Sequence, residues 1–361
     1  MILYLLVFAL STYAFYCASK LPNSIFKYIL IFIGILIPSL LAAFRDLDVG
    51  IDVLNYVEPT WYNIKHSHSL HEYLLNNINT EPIYLLLNYI VALFTDDIHI
   101  FFFIHMALLL IIATMVAYKI NKGAFLWYFT IVFLLYLYNN SLSMMRQSIA
   151  ILIGMYASIF LLEKKILKFY ILVLIAFWAH SSAIFLCLLH PLLNIIIKFQ
   201  NKKLLLTFII ISATIALNLL YNSMLIYFID SGILSLKYTN YIDQEGFSSH
   251  KIDLLLIFLM IIIIFHYKNI KWSEYFNFTL FFLIVSFCIT TMGSIVEVAN
   301  RLAYYFIMPS FISACFITNV PSKRNNLLLS IVGLLLFRYI YLANTTNIVD
   351  TIPYSSKILG I

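Results

Sequence analysis

Charged residues are scarce in this chain of 361 residues. Only 11% of the residues are charged, 63% are hydrophobic, and the mean hydropathy is +0.97. Soluble globular domains carry about 25% charged residues, so this composition excludes a soluble domain and predicts an all-α, polytopic integral membrane protein. The net charge of +6 does not indicate nucleic-acid binding, because the basic residues are dispersed between apolar runs instead of forming a patch.

Cysteine is also scarce, and no pattern of metal ligands stands out. The cysteines lie within apolar runs without CxxC spacing, so the sequence indicates neither a disulfide framework nor a zinc site; they are Cys17, Cys187, Cys288 and Cys315. The stretch from Asp46 to Asp52 is only weakly similar to a calcium loop, because its glycine is one position early and the terminal glutamate is missing. His66, His68 and His71 are interpreted as a solvated face. We expect no metal and no other cofactor.

The chain contains many long apolar runs. A helix needs about 20 apolar residues to cross roughly 30 Å of hydrocarbon. The runs that predict spans on this measure are 2–18, 28–44, 98–118, 124–140, 143–162, 204–222, 252–267, 275–292, 299–319 and 326–343. The N-terminal run has no basic flank and no convincing cleavage site, so we expect it to be retained as the first span.

Two apolar regions have unusual lengths. Ile83 to Phe94 would make only about 18 Å of helix, which predicts a short interfacial or re-entrant helix. Residues 169–197 would extend about 44 Å, which predicts a helical hairpin that turns at His180-Ser181-Ser182. The result is a single membrane domain over residues 1–361, with about 12 transmembrane helices and two external loop regions, about 45–97 and 222–251.

Lysines and acids separate onto opposite sides of this arrangement. The lysine-rich connections between spans fall on one side, which the positive-inside rule makes cytoplasmic. Nearly all acidic residues fall on the other side, and only Glu163 and Glu274 remain inside. Both termini are then predicted to be external.

Arginine is rare, and three of the five arginines occupy unusual places. Arg45, Arg146 and Arg301 are predicted at the outer ends of spans, where the positive-inside rule does not favour them. A guanidinium binds phosphate oxygens bidentately and stays charged, so the three arginines predict an anionic ligand such as a lipid pyrophosphate. The alternative is that each arginine pairs with an acidic neighbour or reaches lipid headgroups. The acidic neighbours are Asp48 or Asp52 for Arg45, and Glu297 for Arg301.

The predicted hairpin turn would place His180 below the outer surface, at the floor of a cavity. Histidine side chains titrate near neutral pH, so one at this depth could take a proton from a sugar hydroxyl as general base. The alternative is a histidine that only caps the turn with Ser181 and Ser182. Tyr238 and Tyr241 could stack on sugar rings, or could anchor the chain at the membrane interface.

Several of these stretches together resemble a known family. They are Arg45 through Asp52 with Tyr56, Glu81-Pro82 before a short apolar run, Met145-Arg146-Gln147 opening a helix, Phe177 through Ser182, Asn300-Arg301 followed by Tyr304-Tyr305, and Pro353-Tyr354. In this order and spacing, over nearly the whole chain, the pattern resembles the EpsG family of Wzy-type polysaccharide polymerases. The chain departs from the family in the loop after Arg45, which lacks a threonine near the last aspartate and is poorer in glycine.

The resemblance implies a metal-independent glycosyltransferase of the bacterial inner membrane, with its active site facing the periplasm or exterior. It would move a growing glycan from undecaprenyl pyrophosphate to the non-reducing end of another lipid-linked repeat unit of an O-antigen, capsule or exopolysaccharide. His180 or Asp52 would deprotonate the acceptor hydroxyl, with inversion expected. The substrate and pyrophosphate contacts would be Arg45, Arg146, Arg301, Gln147, Tyr56, Tyr238 and Tyr241. The partners would be the undecaprenyl-pyrophosphate-linked oligosaccharide, membrane lipids and, by analogy, a chain-length regulator.

Other functions remain as alternatives. A ligase that hands a finished glycan to a different acceptor would need the same arginines and histidine. A transporter or flippase of lipid-linked oligosaccharides would need a polar path to both sides, whereas Arg338 is the arginine found inside a span and no internal symmetry is present. A membrane-bound acyltransferase would not require three external arginines.

Overall fold

The computed structural model describes residues 1–78, 80–198, 249–266, 274–292, 297–318 and 320–361, together with single positions between 223 and 231. The regular elements in these ranges are helices, and no β-strand occurs among them, so the predicted all-α class is confirmed. The chain divides into two compact units, described separately below. The first is Met1–Leu186 with Leu335–Ile361, and the second is Cys187–Leu334. The prediction of a single domain stays a prediction.

The first unit is a helical bundle. Its helices are α1 (Ile2–Lys20), α2 (Ile25–Ala43), α3 (Glu58–His66), α4 (Leu70–Asn76), α5 (Pro82–Ala92), α6 (Ile98–Asn121), α7 (Leu126–Tyr136), α8 (Tyr138–Ser143), α9 (Met145–Leu162) and α10 (Ile166–Ala179), with a π-helix at Val53–Val57 and a 3₁₀-helix at Ser181–Leu188. Helix α1 packs on α2 and α7, α6 packs on α2, α7 and α9, and α9 packs on α10.

The second unit contains helices separated by residues outside the description. They are α11 (Leu189–Lys198), α12 (Ser249–His266), α13 (Glu274–Met292), α14 (Glu297–Ala314) and the first part of α15 (Pro321–Thr345). Helix α13 packs on both α12 and α14. Between α13 and α14, the Thr279 hydroxyl donates to Ser313 Oγ over 2.5 Å, so these two buried side chains are hydrogen-bonded to each other.

Helix lengths match the apolar runs. Among the described residues, five helices are long and apolar enough to cross a membrane: Ile2–Lys20, Ile25–Ala43, Ile98–Asn121, Met145–Leu162 and Pro321–Thr345. Each coincides within a few residues with a predicted span, as expected of a membrane protein. The run 204–222 lies outside the described residues. The total of about 12 spans stays a prediction.

The span predicted over 124–140 is interrupted in the structure. Helix α7 ends at Tyr136, the short α8 follows, and Met144 departs from helical geometry with φ −76° and ψ 59° before α9 begins. The cause is local polar competition for backbone groups: the Asn140 amide donates to Tyr136 O, and the Ser141 hydroxyl donates to Tyr138 O over 2.7 Å. We call residues Leu142–Met145 the helix break.

The predicted external region 45–97 is a folded helical cap. Its apolar side chains form one buried cluster with residues of α6 and the first residue of α9. The buried members are Val53, Val57, Trp61, Tyr84, Val91, Phe101, Phe102 and Met145. Helix α5 has 11 residues, so it is as short as the apolar run predicted. Its location at the membrane interface stays a prediction. The cap brings residues 52–56 and Glu81 to the start of α9.

The C-terminal segment 347–361 lies against the loop that follows α2. Backbone N–H groups of Asp46, Gly50 and Ile51 donate to carbonyl groups of Ser355, Asp350 and Val349 over 3.0 to 3.3 Å. The side chains add further bonds: Asp46 Oδ1 accepts from the Lys357 N–H over 2.9 Å, and Asp48 Oδ1 accepts from the Ser355 hydroxyl over 3.3 Å. The acidic residues of the loop are therefore partly engaged in holding this segment.

Gly50 lies in this loop with a positive φ and close to the backbone of Leu142, and its replacement by alanine should destabilise the first unit. Its φ is +106°, and an added Cβ would lie 3.0 Å from the backbone oxygen of Leu142. Strain of this kind costs about 1–3 kcal/mol, so we expect Gly50→Ala to lower the melting temperature in detergent. Gly333→Ala is the matched control, because nothing lies within 4 Å of its Cβ position in α15. Equal melting temperatures for Gly50→Ala and wild type would contradict the prediction.

Candidate active site

The helix break is held by side chains from the cap and from the loop after α2. The Tyr56 hydroxyl donates to Ser143 O and accepts from the Met145 N–H, both over 3.2 Å. The backbone N–H of Asp52 donates to Ser143 Oγ over 3.2 Å. From the opposite side, His105 Nε2 lies 3.0 Å from Met145 O. The two bonds of Tyr56 satisfy backbone groups that the interrupted helix leaves unpaired, and the four contacts together fix the direction in which α9 starts.

Arg45 also binds the helix break, and it does so as a buried residue. Its side chain is 1% exposed, Nη1 donates to Leu142 O over 2.7 Å, and the guanidinium lies 4.1 Å from the ring centre of Phe102. Burial lowers the pKa of Arg45 to about 10, so it is charged at neutral pH. The contact of Arg45 with a pyrophosphate stays a prediction, because the described arrangement buries the guanidinium and uses it inside the protein. The predicted pairing with Asp48 or Asp52 is replaced by the carbonyl of Leu142.

Arg146 differs from Arg45 in remaining partly exposed. It is the second residue of α9, and its side chain is 21% exposed. Nη1 donates to Glu81 Oε2 over 2.7 Å, and the guanidinium stacks 4.2 Å from the ring centre of Tyr56. The stack and the ion pair hold the plane of the guanidinium in one orientation. Arg146 is therefore paired with an acidic residue, as in the alternative given above, but its partner is Glu81, which is 65 residues away in sequence.

Glu81 binds two of the predicted site residues at once. Its Oε2 accepts from Arg146, while its Oε1 lies 2.8 Å from His180 Nδ1 and 3.2 Å from the backbone N–H of Ser181. Burial alone would raise the pKa of this carboxyl, but the hydrogen bond from His180 and the charge of Arg146 outweigh that effect and lower the pKa to about 2. Glu81 is therefore an ionised, largely buried carboxylate.

Sequence reasoning placed Glu81 only in the family pattern and missed it as a site residue. The available signal was the Glu81-Pro82 pair. Proline at the first position of α5 restricts Glu81 to an extended conformation, observed as φ −67° and ψ 141°, so the residue ends the preceding loop with its direction fixed. Helix α5 packs on α10, which brings the carboxylate to the end of that helix.

His180 ends α10, where the sequence predicted a change of direction. Its backbone is extended, with φ −161° and ψ 126°, its N–H still donates to Ala176 O, and the 3₁₀-helix Ser181–Leu188 follows. The side chain is 24% exposed. The backbone N–H of Ser181 donates to the same carboxylate that binds His180, and the alternative of a histidine that only caps the turn stays open.

The remaining predicted residues of the first unit have different surroundings. Gln147 is 4% exposed and lies within the bundle. Asp52 lies near Tyr56: burial raises the pKa of Tyr56, the charge of Arg146 lowers it, and the Asp52 carboxylate raises it again. Among the described residues Asp52 forms no hydrogen bond with His180. The predicted residues that the structure brings together are Arg146, His180 and Tyr56, and Glu81 joins them.

Three predicted residues belong to the second unit or lie outside the described residues. Arg301 is the fifth residue of α14 in the second unit, close to the helix start as predicted, and its convergence with Arg146 stays a prediction. Tyr238 and Tyr241 lie outside the described residues. Within the described ranges, no three His, Cys, Asp or Glu side chains come together as metal ligands.

The protonation of Glu81 should be visible in stability at acidic pH. Its pKa in the folded protein, about 2, lies below the ordinary value of 4.5, so its contribution to stability is complete above about pH 4.5 and is lost as pH falls towards 2. We expect the difference in melting temperature between wild type and Glu81→Gln to shrink over this interval. A difference that stays constant from pH 5 to pH 2.5 would contradict the assignment.

The fold and the site together define a class: a helical membrane protein that holds an arginine, a carboxylate and a histidine at a break between membrane helices. The sequence profile of the EpsG family matches residues 28–356, and the chain belongs to this family. Membership fits a general role in polysaccharide polymerisation. Comparisons with curated proteins and with solved structures give no match.

Proposed function

We propose that this protein extends a polysaccharide by transferring a growing glycan from undecaprenyl pyrophosphate to the non-reducing end of another lipid-linked repeat unit. The observation that carries the proposal is the carboxylate of Glu81, which binds Arg146 through one oxygen and His180 through the other. A group suited to phosphate oxygens and a group suited to proton transfer are therefore neighbours at the start of a membrane helix.

Arg146 has the role of holding the pyrophosphate of the donor. Its guanidinium carries five N–H donors in a planar fork, more than the bond to Glu81 uses, and it lies in the first turn of α9, where the helix dipole favours anions. Charge develops on the pyrophosphate oxygen as it leaves, so a cation fixed beforehand by Tyr56 and Glu81 stabilises the transition state. Arg301 is proposed to add a second cation, and Tyr238 and Tyr241 to contact the sugars.

His180 has the role of general base. It takes the proton of the acceptor hydroxyl while the hydroxyl oxygen forms a bond to the anomeric carbon of the donor. The bond between that carbon and the pyrophosphate oxygen breaks, and its electron pair leaves with undecaprenyl pyrophosphate. The proton then passes from His180 to solvent. One displacement of this kind inverts the anomeric centre and requires no added metal, because pyrophosphate already leaves well.

The proposed orientation places this site at the outer face of the bacterial inner membrane. The charge distribution supports this orientation: the lysine-rich connections are assigned to the cytoplasm, whereas the cap 45–97 carries many of the acidic residues. A membrane-impermeant thiol reagent tests the orientation. Ser69→Cys in the cap should react in intact spheroplasts, and Ser322→Cys, beside the basic residues of the α15 start, should react only after lysis.

The activity is tested with purified protein in detergent and lipid-linked oligosaccharide extracted from native cells that lack the gene. Such cells supply single repeat units on undecaprenyl pyrophosphate, so the wild-type protein should convert them into a ladder of longer glycans and release undecaprenyl pyrophosphate. Addition of EDTA should leave the ladder unchanged. The absence of glycans longer than one repeat unit would overturn the proposal.

Two outcomes would support the alternatives instead. In proteoliposomes, movement of the lipid-linked unit across the bilayer without any longer product would indicate a transporter. Transfer of the unit only to a different acceptor, such as a lipid A core supplied in the assay, would indicate a ligase. Both outcomes are distinguished from polymerase activity by the size of the lipid-linked product.

A further inference from the structure

Glu81 is held more firmly than an ordinary surface carboxylate. Both of its oxygens are used: Oε2 by Arg146, and Oε1 by His180 and by the Ser181 N–H. Its side chain is 14% exposed, and its backbone is restricted by Pro82 and by the packing of α5 on α10. The carboxylate cannot rotate without losing one of these bonds, so its position relative to both partners is fixed.

The bond to His180 also determines which imidazole nitrogen carries the hydrogen. An ionised carboxylate only accepts hydrogen bonds, so the 2.8 Å contact requires the hydrogen to be on His180 Nδ1. A neutral imidazole has a single N–H, so its lone pair is then on Nε2. Nε2 has no hydrogen-bond partner within the part of the chain that the structure describes.

We propose that Glu81 is a positioning residue for the glycan transfer: its carboxylate orients His180 with Nδ1 protonated, so that Nε2 is the atom that takes the acceptor proton. This inference rests on the proposed function. When the proton reaches Nε2 the imidazole becomes a cation, and the adjacent carboxylate stabilises that cation while the new glycosidic bond forms. Glu81 itself stays ionised and exchanges no proton.

The orientation is tested without any activity measurement. In protein labelled with ¹⁵N-histidine, the His180 signals are identified by their loss in His180→Asn, and their ¹⁵N shifts report which nitrogen is protonated. Wild type should show Nδ1–H in the neutral form. In Glu81→Gln the amide can either accept from or donate to Nδ1, so the Nε2–H form should appear. Glu163→Gln is the matched control, because the partners of Glu163 in the described part of the chain are Lys119 and Lys165 and include no histidine.

The effect on the transfer is tested by a double-mutant cycle on kcat. Glu81→Gln should lower kcat by roughly 10²- to 10⁴-fold, the usual contribution of a general base and its orienting partner. In the His180→Asn background the same change should lower kcat by less than about threefold, because the residue through which Glu81 acts is already gone. In the Arg146→Lys background it should retain most of its effect.

Each outcome bears on a different claim. If the wild-type protein produces no glycan longer than one repeat unit, the proposed function is overturned and, with it, this inference. A wild-type protein that polymerises while Glu81→Gln polymerises equally well overturns the inference alone. An Nε2–H form in wild type, or a full effect of Glu81→Gln in the His180→Asn background, also overturns it. Glu81→Asp keeps the charge and gives a second variant should Glu81→Gln fail to fold.

Discussion

His180→Asn should slow glycan elongation strongly while leaving the fold intact. The asparagine amide can donate to Glu81 Oε1 much as His180 Nδ1 does, so the bond that fastens the end of α10 is retained. It has no basic nitrogen in the place of Nε2. We expect kcat to fall by roughly 10²- to 10⁴-fold, measured as the initial rate of ladder formation from single repeat units.

The control for this experiment is a histidine that binds a backbone carbonyl in the same unit. His99 Nδ1 lies 2.7 Å from Ala43 O, and the residue is partly buried at the start of α6. His99→Asn should keep activity within about threefold of wild type. If His180→Asn were as active as His99→Asn, with both proteins melting like wild type, His180 would have only the capping role.

Arg146→Lys should reduce elongation strongly, and Arg45→Lys should reduce stability. Lysine at position 146 keeps a charge for Glu81 but loses the planar fork and the stack on Tyr56. We expect kcat/KM for the lipid-linked donor to fall by roughly 10²- to 10³-fold, the cost of removing one fixed donor from a developing oxyanion.

Arg45→Lys acts on the helix break instead. Arg45 is buried and donates to Leu142 O, and a hydrogen bond from a charged group is worth about 1.5–3 kcal/mol. The variant should therefore melt at a lower temperature, while the activity of each folded molecule stays near that of wild type. A stable Arg45→Lys protein with activity as low as that of Arg146→Lys would support Arg45 as a ligand-binding residue.

The two arginines show where sequence reasoning reached its limit. Both follow or open apolar runs at the predicted outer face, and both are expected to be charged, so composition and periodicity describe them equally. The difference arises from partners far away in sequence: Arg45 is 1% exposed and donates to the backbone oxygen of Leu142, whereas Arg146 is 21% exposed and pairs with Glu81. Such burial depends on tertiary packing that no local pattern encodes.

The helical class and the position of His180 were predictable because local chemistry determines them. Apolar runs of sufficient length predicted α1, α2, α6, α9 and α15 within a few residues. The polar sequence from His180 to Ser182 predicted the end of α10. The boundary before α9 was predicted by the gap between the runs 124–140 and 143–162. The split between α7 and α8 at Leu137 was missed, because Asn140 alone does not lower the hydropathy of the run, although its amide competes for the backbone carbonyl of Tyr136.

The contact between the C-terminal segment and the loop around Gly50 has a consequence for biosynthesis. The loop supports the helix break, and its backbone partners are residues 349–355. Ribosomes make these residues after α1 to α10 have been synthesised, so insertion of those helices into the bilayer can begin before the loop has its partners. The nascent protein therefore passes through a stage in which the helices of the bundle exist but the loop around Gly50 lacks its partners, and docking of the released C-terminal segment ends that stage.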